Sequence, residues 1–164
     1  MLTYIYDGSF EGILTAVFEA FTRKQVPDAI LSKQGFQQDI TSSYIYIETD
    51  TMKSDRVYNS IRCNISEDAL KNCYQAFLSE DPQAGILIYR YLKLGWRMGS
   101  RVDLHLSDNT VFEMMSINRR LESEVHRLMG FVRVRQVVGG IFYSPVSPDY
   151  NVVELLAPHF AERL

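Results

Sequence analysis

Three side chains on one face of a helix have the types and spacing for acid–base chemistry. In the run 110–137, TVFEMMSINRRLESEVHRLMGFVRVRQV, the residues Phe112, Met115, Arg119, Glu122, His126 and Met129 recur at spacings of three or four. Arg119, Glu122 and His126 can therefore touch in series along a stripe that is otherwise apolar. A carboxylate held between a guanidinium and an imidazole keeps the histidine charged and oriented, as a general acid or a phosphate-binding group needs. The same arrangement also serves as a partly buried ion-pair chain that fixes a helix against its neighbours. On the outer face Arg120, Glu124 and Arg127 repeat the spacing, and there a solvated salt-bridge ladder is expected.

A second group follows the helix. Residues 131–138 read as a strand, whose period of two places Phe131, Arg133 and Arg135 on one face. Gly139-Gly140 reads as a two-residue hairpin turn, because glycine takes the positive φ such turns require. That register would put Phe142 and Ser144 of the returning strand, 141–146, on the same face. Guanidiniums interleaved with aromatic rings suit a nucleic-acid strand, arginines on phosphates and rings on bases. A sheet face covered by a helix, or by acidic partners such as Glu154, carries the same pattern.

The charge is uneven enough to make this group stand out. The chain as a whole carries a net charge of -3 over 164 residues. Residues 90–135 hold nine Lys/Arg (Arg90, Lys93, Arg97, Arg101, Arg119, Arg120, Arg127, Arg133 and Arg135) against five acids, whereas residues 1–89 hold seven against twelve. A surface that is basic everywhere, as in a nonspecific duplex binder, is excluded, and a localised basic face is not.

Other chemistries find little support. The YDGSFEG segment at 6–12 has the strand-to-helix geometry that can bind an anion, but Asp7 and Glu11 oppose a phosphate there. It has too few glycines for a dinucleotide fingerprint and lacks the lysine of a P-loop. His105, His126 and His159 are scattered, and Cys63 and Cys73 lie ten residues apart, so neither a metal site nor a cofactor is expected. The apolar stretches are too short to span a bilayer. MLTYIYDGSF lacks the features of a signal peptide, so a cytoplasmic protein without membrane association is expected.

The elements that must position these groups follow from local pattern. Residues 2–6 read as a strand, and a helix capped by Ser9 follows, with Phe10, Ile13, Leu14, Val17, Phe18 and Phe21 as its buried stripe. Residues 43–48 are a second strand. Helices are predicted over about 52–63, from Ser66, and from an Asp81 cap with Pro82 at the first helical position to about residue 98. Thr110 and Glu113 form a capping box for the helix that carries Arg119, with Gly130 as its stop, and a last helix is predicted over 149–163. The fold class is α+β: a small sheet with a βα opening unit and a late β-hairpin, packed against a layer of about five to six helices in one domain.

Five strings act together: YIYDGSFEGILTAVFEAF at the start, AFLSEDP at 76–82, YRYLKLGWRMG at 89–99, HRLMGFVRV at 126–134 and PDYNVVELLAPHFAERL at the end. Over essentially the whole chain they resemble an uncharacterised bacterial family assigned to DNA metabolism. The resemblance implies a neighbouring radical-SAM protein of DNA repair or modification as partner, and related domains fused to uracil-DNA glycosylase-like proteins. Cluster chemistry would belong to that partner, since the clustered cysteines are absent here. The family positions His126, Phe131, Arg133, Asp149, Asn151, Pro158, His159 and Arg163 are all present. Family members continue past the PHFAxR helix into further strands, so a domain without those C-terminal strands is expected.

Three functions compete on these residues. The first is an accessory protein of DNA repair or modification. It would contact DNA, single-stranded or locally opened, through Arg119, Arg120, Arg127, Phe131, Arg133 and Arg135. The second is a protein-docking module whose aromatic-rich helices, with Tyr89, Tyr91 and Trp96, bind a partner without DNA. The third is a nucleotide- or DNA-processing enzyme using Arg119, Glu122, His126 and His159. Oligomeric state has no signal in the sequence.

Overall fold

Strand β1 (Leu2–Tyr6) is built from residue types that fit a pleated surface on both of its faces, and both faces are covered. In the computed structural model, which describes residues 1–34, 36 and 43–162, it lies between β2 (Ala29–Ser32) and β3 (Ser43–Tyr46) in a parallel sheet. The register sets Tyr4 beside Ile30 on one side and Ile45 on the other. Thr3, Tyr4, Ile5 and Tyr6 are all buried, as a central parallel strand requires. Sequence pattern gives no strand at β2. Four residues after Pro27 are too few to show a period, and it is pairing with β1 that makes them one.

Local side chains start most of the helices. In α1 (Phe10–Thr22) the Ser9 hydroxyl accepts from the Gly12 amide, in α2 (Thr51–Asn64) the Asp50 carboxylate accepts from Met52 and Lys53, and in α3 (Glu67–Leu78) Ser66 accepts from Ala69. Regular helix in α4 (Ala84–Met98) begins later than the Asp81 cap predicts. Asp81 caps the turn just ahead of it, accepting from the Gln83 amide at 2.8 Å. This helix is apolar nearly all round, with Ile86, Leu87, Ile88, Tyr89, Tyr91 and Leu92 buried, and it runs through the middle of the molecule. Gly85 lets it lie directly on β2, since a Cβ there would stand 2.4 Å from the Ile30 carbonyl oxygen.

A short 3₁₀ helix (Gly99–Leu104) leads to α5 (Asn109–Phe131), which departs from expectation at both ends. Asp108, not Thr110, is its cap, because the Asp108 carboxylate accepts the Thr110 amide at 2.8 Å and shifts the start. At the other end the helix runs through Gly130 to Phe131. Gly130 is exposed with nothing around it, so no packing enforces a stop there. The antiparallel pair β4 (Arg135–Val137) and β5 (Ile141–Tyr143) forms its own two-stranded sheet. The last helix, α6 (Val153–Ala161), is shorter than 149–163 predicts, and Arg163 lies outside the described residues.

One large apolar cluster joins the parallel sheet to α1–α5, and a smaller one of Leu78, Leu121, Val152 and Leu156 seats α6 against α3 and α5. Cys73 is buried in the large cluster, while Cys63 is exposed. Among the described residues no helix is long and apolar enough to cross a membrane.

Candidate nucleic-acid interface

Helix α5 presents its apolar side to the core, with Val111, Met114, Ile117, Asn118 and Leu121 buried, and this orientation decides where its charged residues point. Arg119, Arg120 and Arg127 are exposed. Arg120 Nε donates to the Ser116 carbonyl at 3.4 Å, a bond within its own helix. Glu122 does not join Arg119 to His126. It turns to α3, where Gln75 Nε2 donates to it at 3.0 Å and Lys71 Nζ at 3.2 Å. The Gln75 hydrogen bond, with Lys71 adding to it, holds the Glu122 carboxyl below its ordinary range despite partial burial. Arg119 and His126 make no side-chain hydrogen bond or ion pair among the described residues. The acid–base series expected from spacing is therefore not assembled: α3 competes for the carboxylate that should link it.

His159 sits on α6 with its ring 5.1 Å from that of Phe160. The cleft at the carboxyl end of the sheet is lined by none of His126, Arg133 and His159. The aromatic residues singled out on α4 lie largely inside the molecule. Tyr89 and Tyr91 are buried within the core, and the partly buried Trp96 donates its indole N–H to Ser60 Oγ at 3.0 Å.

The segment after α5 is largely exposed and basic. Phe131 ends α5 and is 78% exposed, so it is helical and does not share a strand face with Arg133 and Arg135. In the hairpin Arg135 faces Tyr143, Gln136 faces Phe142 and Val137 faces Ile141. The connection is therefore Val138-Gly139-Gly140, three residues instead of two, with both glycines at positive φ, 89° and 76°. That one-residue difference moves Phe142 and Ser144 to the opposite face and brings Tyr143 to the side of Arg135. Every residue of both strands is exposed. Residues 125–148 contain Arg127, Arg133 and Arg135 and no Asp or Glu.

Glu124, expected in a solvated ladder, has a side chain only 5% exposed. It accepts the backbone amides of Asp149 at 2.7 Å and Tyr150 at 3.1 Å, and pairs with Arg127 at 3.2 Å. This clip returns the chain from the hairpin to the body, where the Asn151 amide donates to the Leu78 carbonyl at 3.0 Å. The sequence hint was the PDYN turn downstream, whose free amides need an acceptor.

No curated protein and no solved structure matches the chain. A family model described as a domain of unknown function, DUF4130, matches residues 82–164, just over half of the 164. That span runs from the turn that opens α4 through α5, the hairpin and α6, and the chain belongs to this family.

Proposed function

We propose that the protein is an accessory factor of DNA metabolism, in repair or modification. Its hairpin and the exposed side of α5 would contact single-stranded or locally opened DNA. The observation that carries this reading is the arm itself: two short strands with every residue exposed, no acid from 125 to 148, and Arg135 and Tyr143 on one face. A two-stranded hairpin gains little stability alone, so exposed arginine and aromatic side chains on one suggest a ligand that completes it. Arg119, Arg120, Arg127, Arg133 and Arg135 would take phosphates, with Phe131 and Tyr143 offered to bases. The DNA context and a radical-SAM partner rest on the family resemblance.

Fluorescence anisotropy with a labelled single strand tests this. Binding should weaken steeply with salt, and changing Arg133 and Arg135 together to Ala should flatten the log–log salt dependence by about 1.4, two phosphate contacts at roughly 0.7 each. Tyr143→Ala should cost about 1–3 kcal/mol of affinity. Flat anisotropy at low salt with single-stranded, duplex and uracil-containing DNA would reject it.

A second reading is favoured by the exposed Val137, Val138, Ile141 and Phe142 and the open strand edges: the arm adds to a partner protein's sheet. Co-purification with the radical-SAM neighbour without DNA, unaffected by changing the arginines, would select that reading.

A further inference from the structure

A cleft of about 670 Å³ opens at the carboxyl ends of β1 and β2, where parallel sheets characteristically bind ligands. Its walls come from segments far apart in sequence: Tyr6 from β1, Phe77 and Glu80 from the end of α3, and Asn151 from the stretch before α6. Ser32 and Phe36 close it from the β2 side. We propose that this cleft binds an amino-bearing nucleobase, as a nucleoside or as a base within a single strand.

Polar groups without protein partners point to a ligand. Tyr6 is only 8% exposed, yet its hydroxyl makes no hydrogen bond among the described residues. Burial, reinforced by Asp7, pushes its pKa up to about 12, so it is a neutral donor near pH 7. The Glu80 carboxylate and the Asn151 side-chain amide are exposed at the mouth of the cleft and have no protein partner among the described residues, so both are free to meet a ligand there. Glu80 has φ 53°, a left-handed conformation that residues other than glycine seldom adopt.

The lining also selects the ligand class. Glu80 and Asp81 lie in the wall and no Lys or Arg among the described residues does, so phosphate is disfavoured and N–H donors are favoured. Asp81 accepts the Gln83 amide through one oxygen, whereas the Glu80 carboxylate accepts no hydrogen bond among the described residues. Carboxylates accept from the exocyclic amino group of cytosine, and an Asn amide matches the paired donor and acceptor of adenine. Phe77 and Phe36 supply apolar ring surface for a flat ligand. The cleft is separate from the hairpin, so failure of the DNA-binding arm would leave this proposal standing, and the reverse.

Isothermal titration of the full chain with adenosine, cytidine, uridine, adenosine 5′-monophosphate and spermidine tests it. Adenosine or cytidine should bind saturably, with uridine and the monophosphate weaker by roughly tenfold, one hydrogen bond or one like-charge encounter. Tyr6→Phe, which keeps the ring, and Glu80→Gln should each weaken binding by roughly tenfold. Competition by a homopolymeric deoxyadenosine or deoxycytidine strand, retained when Arg133 and Arg135 are changed to Ala, would assign the base to a strand. Competition by the nucleoside alone would assign a free ligand. No saturable nucleoside binding, preference for spermidine, or unchanged affinity in both variants would overturn the proposal.

Discussion

The Glu124 carboxylate holds two backbone amides and one guanidinium from a position 5% exposed, and its partners differ in how much they depend on it. The amides of Asp149 and Tyr150 lose their acceptor if it is removed, whereas Arg127 is more than half exposed and can turn to water. Glu124→Ala should therefore cost about 1–3 kcal/mol, and amide exchange at 149 and 150 should accelerate in hydrogen-exchange measurements. Arg127→Ala should cost less than about 1 kcal/mol in the same denaturant titration. Glu122 supplies the pH dependence. Its carboxyl is depressed by Gln75 first and Lys71 second, so its folded-state pKa lies below the unfolded value. The stabilisation it provides is fully present above the unfolded carboxylate range and is lost as pH falls through the depressed value. Asp7 and Glu19 act in the same sense. Burial raises Asp7, but bonds from Ser9 and Thr49 outweigh it, and Lys53 leads the depression of Glu19. Urea midpoints should fall between pH 7 and pH 3.5, and Glu122→Gln should show a smaller fall than the parent chain.

At the scale of elements, the hairpin is set by its loop and not by packing, because both strands are exposed along their length. Gly139→Val and Gly140→Val each place a β-branched side chain at a positive φ, 89° or 76°, and should open the pair. The melting temperature should nevertheless stay within about 1 °C, since no buried apolar surface is lost with the strands. A large drop would mean that the arm is braced by the body. The same contrast between local and distant control explains what the sequence made legible. Ser9 and Ser66 as caps could be read because the hydroxyl and the amide it accepts lie three residues apart. Thr110 and Glu113 have the same local form, but Asp108 two residues upstream reaches the Thr110 amide first. Strand β2 exists through its partner, the end of α5 through the absence of packing around Gly130, and the hairpin register through one extra loop residue. Of the candidate site, the exposed arginines were legible from charge alone. The cleft was not, because Tyr6, Glu80 and Asn151 meet only after the chain has folded.

Across the whole molecule, the two apolar clusters divide the stability unequally. The sheet and α1–α5 share the larger one, and α6 depends on four fully buried side chains, Leu78, Leu121, Val152 and Leu156, with partly buried neighbours. A polar strut reinforces that smaller attachment. The Tyr74 hydroxyl of α3 donates to Glu154 of α6 at 2.6 Å, and this bond, ahead of burial, pushes the tyrosine up to about 12. Truncating Ile88, which is wholly buried in the middle of α4, should cost about 2–5 kcal/mol and lower the stability of every element together. Leu156→Ala removes a similar volume, but from the edge of the assembly. It should release α6, accelerating exchange there and along 149–152, while amides of β1 and α4 keep the protection set by global unfolding. Tyr74→Phe should act in the same direction by a smaller amount, about 0.5–1.5 kcal/mol. Uniform acceleration across all elements in Leu156→Ala would show a single cooperative unit. Selective acceleration would mean that α6, and with it the Asn151 wall of the cleft, can leave the body without unfolding it.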